Sequence, residues 1–308
     1  MPAATLDDGE QAGGTGPMGS EVEVKEFTGR RYEQLRTFGA NRLAVGGLCV
    51  VLFFLLFCFV GPVFYHTNQI STRLFRVNLA PGPGHWLGTD NAGFDELGRL
   101  MAGGQTTLAV GLGAALLATA VGAVWGATAG LVGGWVDGLM MRMVDTVMAL
   151  PVLLLLLFLA SVFQPSVPLL VLVVASVAWL VPARLVRAEV LSLRTYPYVE
   201  ASRCFGGTVS WILGRHLIPN ALGTIVVNAT FQVADAVLVV ASLSFLGLGV
   251  APPAANWGGM VSTGVDYVFS GYWWEIVPAG VCIVALVVAI NFIGDGLRDV
   301  ADVRLTRR

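Results

Sequence analysis

The sequence predicts an all-α membrane protein that crosses the bilayer six times, and three observations carry this prediction. First, 56% of the 308 residues are hydrophobic and 12% are charged, whereas soluble domains carry about a quarter charged residues. Second, six apolar stretches are long enough for a bilayer core of about 30 Å, which needs about 20 residues per helix. Third, the basic residues collect on alternate connections between these stretches.

The six predicted spans follow the apolar stretches. The second span is rich in Gly and Ala, which favours close packing of helices in lipid, and Pro151 predicts a kink in the third. The first stretch is too long for a signal peptide and no small-residue cleavage site follows it, so we expect it to stay in the membrane. The spans are residues 43–64, 107–132, 139–160, 168–186, 221–246 and 276–293.

Orientation follows from the basic residues. With the N-terminus inside, the cytoplasmic segments hold fifteen of the eighteen Lys and Arg residues, and the external segments hold Arg73, Arg76 and Arg99. Because basic residues favour the cytoplasmic side, we expect a multi-pass protein of the cell membrane with both termini in the cytoplasm. The external segments are then residues 65–105 and 247–275.

The remaining segments complete the predicted organisation. Residues 1–26 are rich in Gly, Ala and acidic residues and predict a disordered cytoplasmic tail. Residues 27–41 predict a cytoplasmic interfacial helix, with a solvated linker as the alternative. Residues 42–304 form the predicted six-helix domain, and residues 305–308 form a short cytoplasmic tail.

The charged loop at residues 194–220 interrupts the apolar sequence on the cytoplasmic side. We expect a helix, a bend at Gly206, which tolerates a backbone that larger residues resist, and a second helix. Thr208 or Ser210 is the predicted cap of that second helix, which ends at Pro219. Two helices fixed rigidly to membrane spans can pass a push from a cytoplasmic partner into the membrane.

In the charged loop, E-A-S-x-x-x-G is followed nine residues later by H-L-I-P-N. Three other stretches are H-W-L-G-T-D-N-A-G-F-D-E-L-G-R-L (85–100), S-L-S-F-L-G-L-G-V-A-P-P (242–253) and G-D-G-L-R-D (294–299). The loop motif resembles the coupling loop of type I ABC importer permeases, and the other three resemble the C-type permease subunit of dipeptide and oligopeptide importers. The resemblance covers residues 36–304.

The resemblance implies a type I ABC importer permease fold that works by alternating access. It implies a homologous second permease subunit, ATPase subunits that bind ATP and Mg, and an extracytoplasmic substrate-binding protein. Coupling to the ATPases would rest on a cytoplasmic helix-turn-helix coupling loop (residues 194–220), and its coupling residues would be Tyr198, Glu200, Ala201, Ser202, Arg203, Gly206, His216 and Pro219.

The chain itself lacks the means to hydrolyse ATP. A Walker A loop requires G-x-x-x-x-G-K-[ST], and the single lysine, Lys25, lies outside any such pattern. We therefore expect no enzymatic activity and no cofactor in this chain. The three histidines and four cysteines show no metal-ligand spacing, and no basic tract suits nucleic acid.

Polar residues follow one face of the fifth span. Thr224, Asn228, Gln232 and Asp235 are spaced by four, four and three residues, which places them on one side of a helix. Polar groups in lipid face the bundle interior or a water-filled cavity. They are the candidate wall of the substrate pathway, and the alternative is packing between helices.

Three further features of the sequence predict local structure. Arg142 and Asp145 are three residues apart, which predicts a local ion pair. Asp295, between two glycines, predicts the end of the sixth helix. His85 is expected to be a solvated loop residue, and contact with a binding protein or a ligand is the alternative.

Two alternatives stay open beside peptide import. A permease for nickel or another small solute is the first, because related permeases carry such cargo. An intramembrane enzyme is the remote second. It needs a Ser-His pair or paired Asp residues at matched depth, whereas all three histidines fall outside the spans.

Overall fold

The computed structural model describes residues 38–72 and 74–306. The tail at 1–26, most of the predicted interfacial helix at 27–41, and Arg73 lie outside this part of the chain. Within it the protein is helical, with no β-strand. The α-helices are α1 Arg42–Phe59, α2 Gly61–Phe64, α3 Glu96–Val132, α4 Gly134–Met148, α5 Val152–Val162, α6 Val167–Ala178, α7 Leu180–Leu193, α8 Pro197–Cys204, α9 Val209–Ile212, α10 Ile218–Leu243, α11 Trp257–Tyr267 and α12 Val277–Thr306.

Short segments of other helix types link these elements. π-helical segments continue the path from α9 into α10 and beyond its end, at Leu213–Leu217 and Ser244–Leu248. Turns of 3₁₀ helix occur at Leu74–Arg76, Val268–Ser270 and Trp273–Glu275.

The spans match the predicted fold class. Four helical stretches are long and apolar enough to cross a membrane, and two bent helix pairs bring the number to six if each pair is one span. The four are residues 42–64, 96–132, 209–248 and 273–301.

The third span is broken at the predicted proline. α4 and α5 meet at an angle of 83°, a much sharper change than a kink. Pro151 has φ −62° and ψ 111°, an extended conformation that ends a helix, and its nitrogen has no hydrogen to donate. α6 and α7 form a second bent pair, at 45°.

Helix ends extend past the apolar stretches, and two expectations about ends were wrong. The second cytoplasmic helix does not end at Pro219, because α9 continues through the π-helical segment and Pro219 lies in the first turn of α10. Asp295 is not at a helix end, since α12 continues to Thr306.

α3 is the central helix of the bundle. It packs against α7, α10, α6 and α1, and α12 packs against both α1 and α10. Gly122, Gly126 and Gly130 face α7 so closely that a Cβ on Gly126 would lie 2.1 Å from the Ala183 carbonyl oxygen. The predicted close packing of the Gly- and Ala-rich span is therefore confirmed.

Ion pairs join α4 to α7. Arg187 binds Asp137 through two bonds, Nε–Oδ1 at 2.5 Å and Nη2–Oδ2 at 2.6 Å. Asp145 pairs with Arg184 of α7. The expected local pair between Arg142 and Asp145 was wrong, because Asp145 pairs with Arg184 of the neighbouring helix instead.

α3 connects two ends of the bundle that differ in construction. We call residues 65–95 and 249–276 the long-loop end; there Arg99 in the first turn of α3 donates to the Pro253 carbonyl at 3.0 Å. We call residues 194–217 the short-helix end; there Arg203 donates to the Leu131 carbonyl at 3.3 Å. The 37 residues of α3 separate these ends by about 55 Å at 1.5 Å per residue.

Candidate functional site

The short-helix end presents the predicted helix–turn–helix. α8 begins with Pro197 in its first turn. After α8, Gly206 has φ +79°, a left-handed conformation that costs other residues roughly 1–2 kcal/mol. Thr208 then caps α9 by accepting a hydrogen bond from the Trp211 backbone N–H.

The inner face of this pair of helices is anchored in the bundle. Val199, Ile212 and Leu217 are each at most 2% exposed, in a core cluster shared with α3, α7 and α10. Full burial of one such side chain contributes about 1.5–3 kcal/mol. Arg203 adds its hydrogen bond to α3. A force on α8 therefore reaches three long helices.

His216 ties the two halves of the element together. The Ser202 hydroxyl donates to the Tyr198 carbonyl at 2.8 Å and lies 3.2 Å from His216 Nε2. The Trp211 ring meets the imidazole edge to face at 4.9 Å. Asn220 donates to the His216 carbonyl at 2.6 Å. These contacts fix the angle between α8 and the helix that leads into α10.

The outer face exposes most of the predicted coupling residues together with two aromatic side chains that the sequence reasoning missed. Phe205 is 92% exposed and Trp211 50%. Their signal in the sequence is the presence of aromatic residues within a polar loop. Exposed aromatic side chains on a docking element are candidate contacts for a partner. Ser202 and His216 are partly buried, whereas the exposed predicted residues are Tyr198, Glu200, Ala201, Arg203, Gly206 and Pro219.

The four polar residues predicted on one face of the fifth span, the polar stripe, lie on α10, and they do not share one environment. Gln232 is 6% exposed, and its amide donates to the Ala178 carbonyl at 2.6 Å. A helical bond to that carbonyl would come from residue 182, which is Pro182 and has no N–H. Gln232 thus supplies the missing donor at the α6–α7 bend, which is the contact that the packing alternative predicts.

The other three stripe residues lie on accessible surface. Thr224 and Asn228 are partly buried and Asp235 is exposed. The side-chain oxygen of Asn228 is buried and has no hydrogen-bond partner within the described chain. These three keep the exposure that a pathway wall requires, and their role stays a prediction.

Asp95 organises the long-loop end. Its Oδ1 caps α3 by accepting from Gly98 N at 2.9 Å. Its Oδ2 accepts from the Tyr65 hydroxyl at 3.0 Å and lies 2.8 Å from His85 Nδ1. One carboxylate therefore joins the end of the first span, the loop and the start of α3.

His85 is part of this network, so the expectation of a solvated loop residue was wrong. Arg76 Nη1 lies 3.2 Å from His85 Nε2, and because a guanidinium only donates, Nε2 accepts and Nδ1–H donates to Asp95. Burial and then the hydrogen bond to Asp95 raise the pKa of Tyr65 to about 12, so this hydroxyl stays a donor to Asp95 up to a higher pH than an ordinary tyrosine.

A second carboxylate holds the turn before α3. Asp90 Oδ1 accepts from the backbone N–H groups of Ala92 and Phe94 at 2.9 and 2.8 Å. Asp90 Oδ2 lies 3.3 Å from Arg99 Nε, and the guanidinium sits 4.5 Å from the centre of the Phe94 ring. The motif at residues 85–100 thus builds a rigid loop.

These features define a polytopic helical membrane protein with a docking element fixed to its spans at one end. Residues 122–307 match the family described as the inner membrane component of binding-protein-dependent transport systems. Residues 32–81 match the N-terminal transmembrane domain of oligopeptide transport permease C. The chain belongs to the family of binding-protein-dependent transport system inner membrane components, as the resemblance predicted.

Similar proteins cover most of the chain. A putative peptide permease protein of Brucella suis is 42% identical over 93% of this chain and 95% of the relative. The oligopeptide transport system permease protein OppC of Escherichia coli is 38% identical over 91% and 94%. The dipeptide transport system permease protein DppC of Bacillus subtilis is 36% identical over 88% and 85%.

Proposed function

We propose that this chain is the permease subunit of an ATP-driven importer that takes up dipeptides or oligopeptides by alternating access. The names of its relatives, dipeptide and oligopeptide transport permeases, support the substrate class. The helix–turn–helix of α8 and α9 carries the mechanism, because it is exposed on one face and anchored in α3, α7 and α10 on the other.

In this mechanism an ATPase subunit receives the exposed face of α8. Glu200 and Arg203 supply polar contacts, and Phe205 fills an apolar recess of the partner. When ATP closes the ATPases, α8 moves with its cleft and turns α3, α7 and α10 as a rigid body. ATP and Mg are held by the partner, which alone hydrolyses ATP.

The remaining partners follow from the same proposal. A homologous second permease pairs with residues 42–304 of this chain, and the pathway runs between the two. The short-helix end and both termini face the cytoplasm. The long-loop end receives an extracytoplasmic substrate-binding protein. Thr224, Asn228 and Asp235 line the pathway.

Charge reversal and steric block at α8 test the coupling. We expect Glu200→Arg or Gly206→Trp to reduce ATP-driven dipeptide uptake by the reconstituted complex at least tenfold, with insertion of the chain retained. A Cβ on Gly206 meets no atom within 4 Å, so the tryptophan projects outward toward the partner. Uptake and ATP hydrolysis are measured on the same proteoliposomes.

Gly206→Ala is the matched control. It puts a Cβ on the same left-handed backbone, φ +79°, without the bulk of tryptophan, so uptake should persist if the block is steric. Normal uptake in the Gly206→Trp and Glu200→Arg variants would contradict docking at α8. Uptake of nickel in place of dipeptides by the unmodified complex would replace the peptide assignment with the small-solute alternative.

A further inference from the structure

A cavity of about 350 Å³ opens at the long-loop end, and the functions assigned above do not use it. It lies between the first turn of α3, the segment that follows α10 and the segment that precedes α12. Four charged side chains are in its walls, Asp90, Glu96, Arg99 and Glu275. Three of these four side chains are acidic.

Two of the carboxylates lack the partners that buried acceptors need. Glu96 and Glu275 are each 2% exposed. Glu96 Oε1 and both oxygens of Glu275 have no hydrogen-bond donor within the described chain, and neither has the Ser244 hydroxyl in the same cavity wall. A buried acceptor left without a donor is costly, so this arrangement indicates a ligand that brings donors.

The guanidinium in these walls is already engaged. Arg99 lies 3.3 Å from Asp90 and donates to the Pro253 carbonyl at 3.0 Å, and its plane rests over Phe94. It is therefore oriented toward Asp90 and the loop, and within the described residues it makes no ion pair with Glu96 or Glu275.

The chemistry of the unpaired atoms selects an organic cation. A primary ammonium group carries one positive charge and three N–H donors, and three carboxylate oxygens of Glu96 and Glu275 are unpaired. Within residues 38–72 and 74–306, no three acidic, His or Cys side chains are arranged to hold a metal ion. We propose that this cavity binds the primary ammonium group of a transported peptide at Glu96 and Glu275. The proposal rests on the proposed function.

Direct binding to the assembled importer, purified in nanodiscs without its binding protein, tests this site. Saturation-transfer NMR is recorded with alanyl-alanine, N-acetyl-alanyl-alanine, methylammonium chloride and calcium chloride as separate additions or competitors. We expect the free dipeptide to bind at least tenfold more tightly than its acetylated form. Methylammonium should compete with it, and calcium should not.

Isosteric variants locate the site. Glu275→Gln and Glu96→Gln keep the side-chain shape and remove the charge, and each should weaken dipeptide binding at least tenfold. Asp266→Asn is the matched control, because Asp266 is an exposed carboxylate of α11 outside the cavity walls, and binding should stay within twofold.

Several results overturn the proposal. Equal binding of the acetylated and free dipeptides by the unmodified complex does so whether or not the variants fold. Unchanged dipeptide binding in both Gln variants also overturns the proposal. Binding of calcium without binding of dipeptide or methylammonium overturns it too. ATP-driven dipeptide uptake by the unmodified complex, measured with the binding protein present, distinguishes failure of this site from failure of the proposed function. If dipeptide binding at the site is not found but uptake is retained, only the site proposal fails. If uptake is absent, the proposed function fails.

Discussion

At the scale of single residues, Gln232 shows how a polar side chain within a span acquires a structural role. Its amide hydrogen-bonds the Ala178 carbonyl, the acceptor that Pro182 leaves without a helical donor. The bend between α6 and α7 is 45° and exposes this carbonyl to the neighbouring helix. Gln232 therefore stabilises the bend.

Removal of this donor should destabilise the protein. We expect Gln232→Leu to lower the free energy of unfolding by about 1–3 kcal/mol, because a buried acceptor is left unsatisfied. Thermal unfolding of the purified complex in detergent measures the effect. Thr230→Val is the control, since Thr230 bonds only to its own helix at Val226. Unchanged stability together with altered substrate range would instead place Gln232 in the pathway.

Sequence reasoning about residues succeeded where the partners were local and failed where they were distant. The stripe on α10 follows from helical spacing alone. The partner of Asp145 is Arg184, thirty-nine positions along the chain, and a spacing rule proposes only the near neighbour Arg142. His85 likewise meets Asp95 and Arg76 through a loop conformation that no periodic pattern encodes.

At the scale of elements, the contact between α3 and α7 depends on glycine. A Cβ on Gly126 would lie 2.1 Å from the Ala183 carbonyl oxygen and 2.9 Å from the Arg187 nitrogen. Backbone atoms cannot rotate away as a side chain can. The two helices would have to separate to admit a methyl group.

Gly126→Ala should therefore be destabilising, although alanine favours helix. Overpacking of this kind costs about 1–3 kcal/mol of folding free energy. We therefore expect the midpoint temperature of thermal unfolding to fall. Gly46→Ala, at an open position on α1, should be neutral or stabilising. Equal effects of the two substitutions would show that helix propensity, and not the approach of α7, decides the outcome.

The apolar pattern predicted where the spans lie but not where their helices end. Hydropathy reports the part of a helix inside lipid, whereas Asp95 caps α3 well before the apolar stretch. The continuation of α9 into α10 through a π segment keeps Pro219 within a helix. The break at Pro151 was predictable because proline acts locally, but its 83° angle depends on the packing of α5 against α6.

At the scale of the whole molecule, α3 links the two ends. In its first turn, α3 carries Arg99, which pairs with Asp90 of the preceding loop. Near its other end, α3 accepts a hydrogen bond from Arg203 of α8. In the proposed mechanism, α3 carries motion from the short-helix end to the cavity beside Glu96 and Glu275. The motif at 85–100 pointed to this end of the chain, but the cavity depends on side chains from α3 and from residue 275, which only the fold brings together.

We propose that opposite ends of this chain meet different partners, an ATPase at α8 and a binding protein at the long loops. Phe205 and Phe269 are 92% and 97% exposed and mark the two ends. A photo-crosslinking amino acid at either position reports its neighbour in the assembled importer. We expect position 205 to capture the ATPase and position 269 to capture the binding protein. Capture of the binding protein at 205, or of the ATPase at 269, would contradict the account.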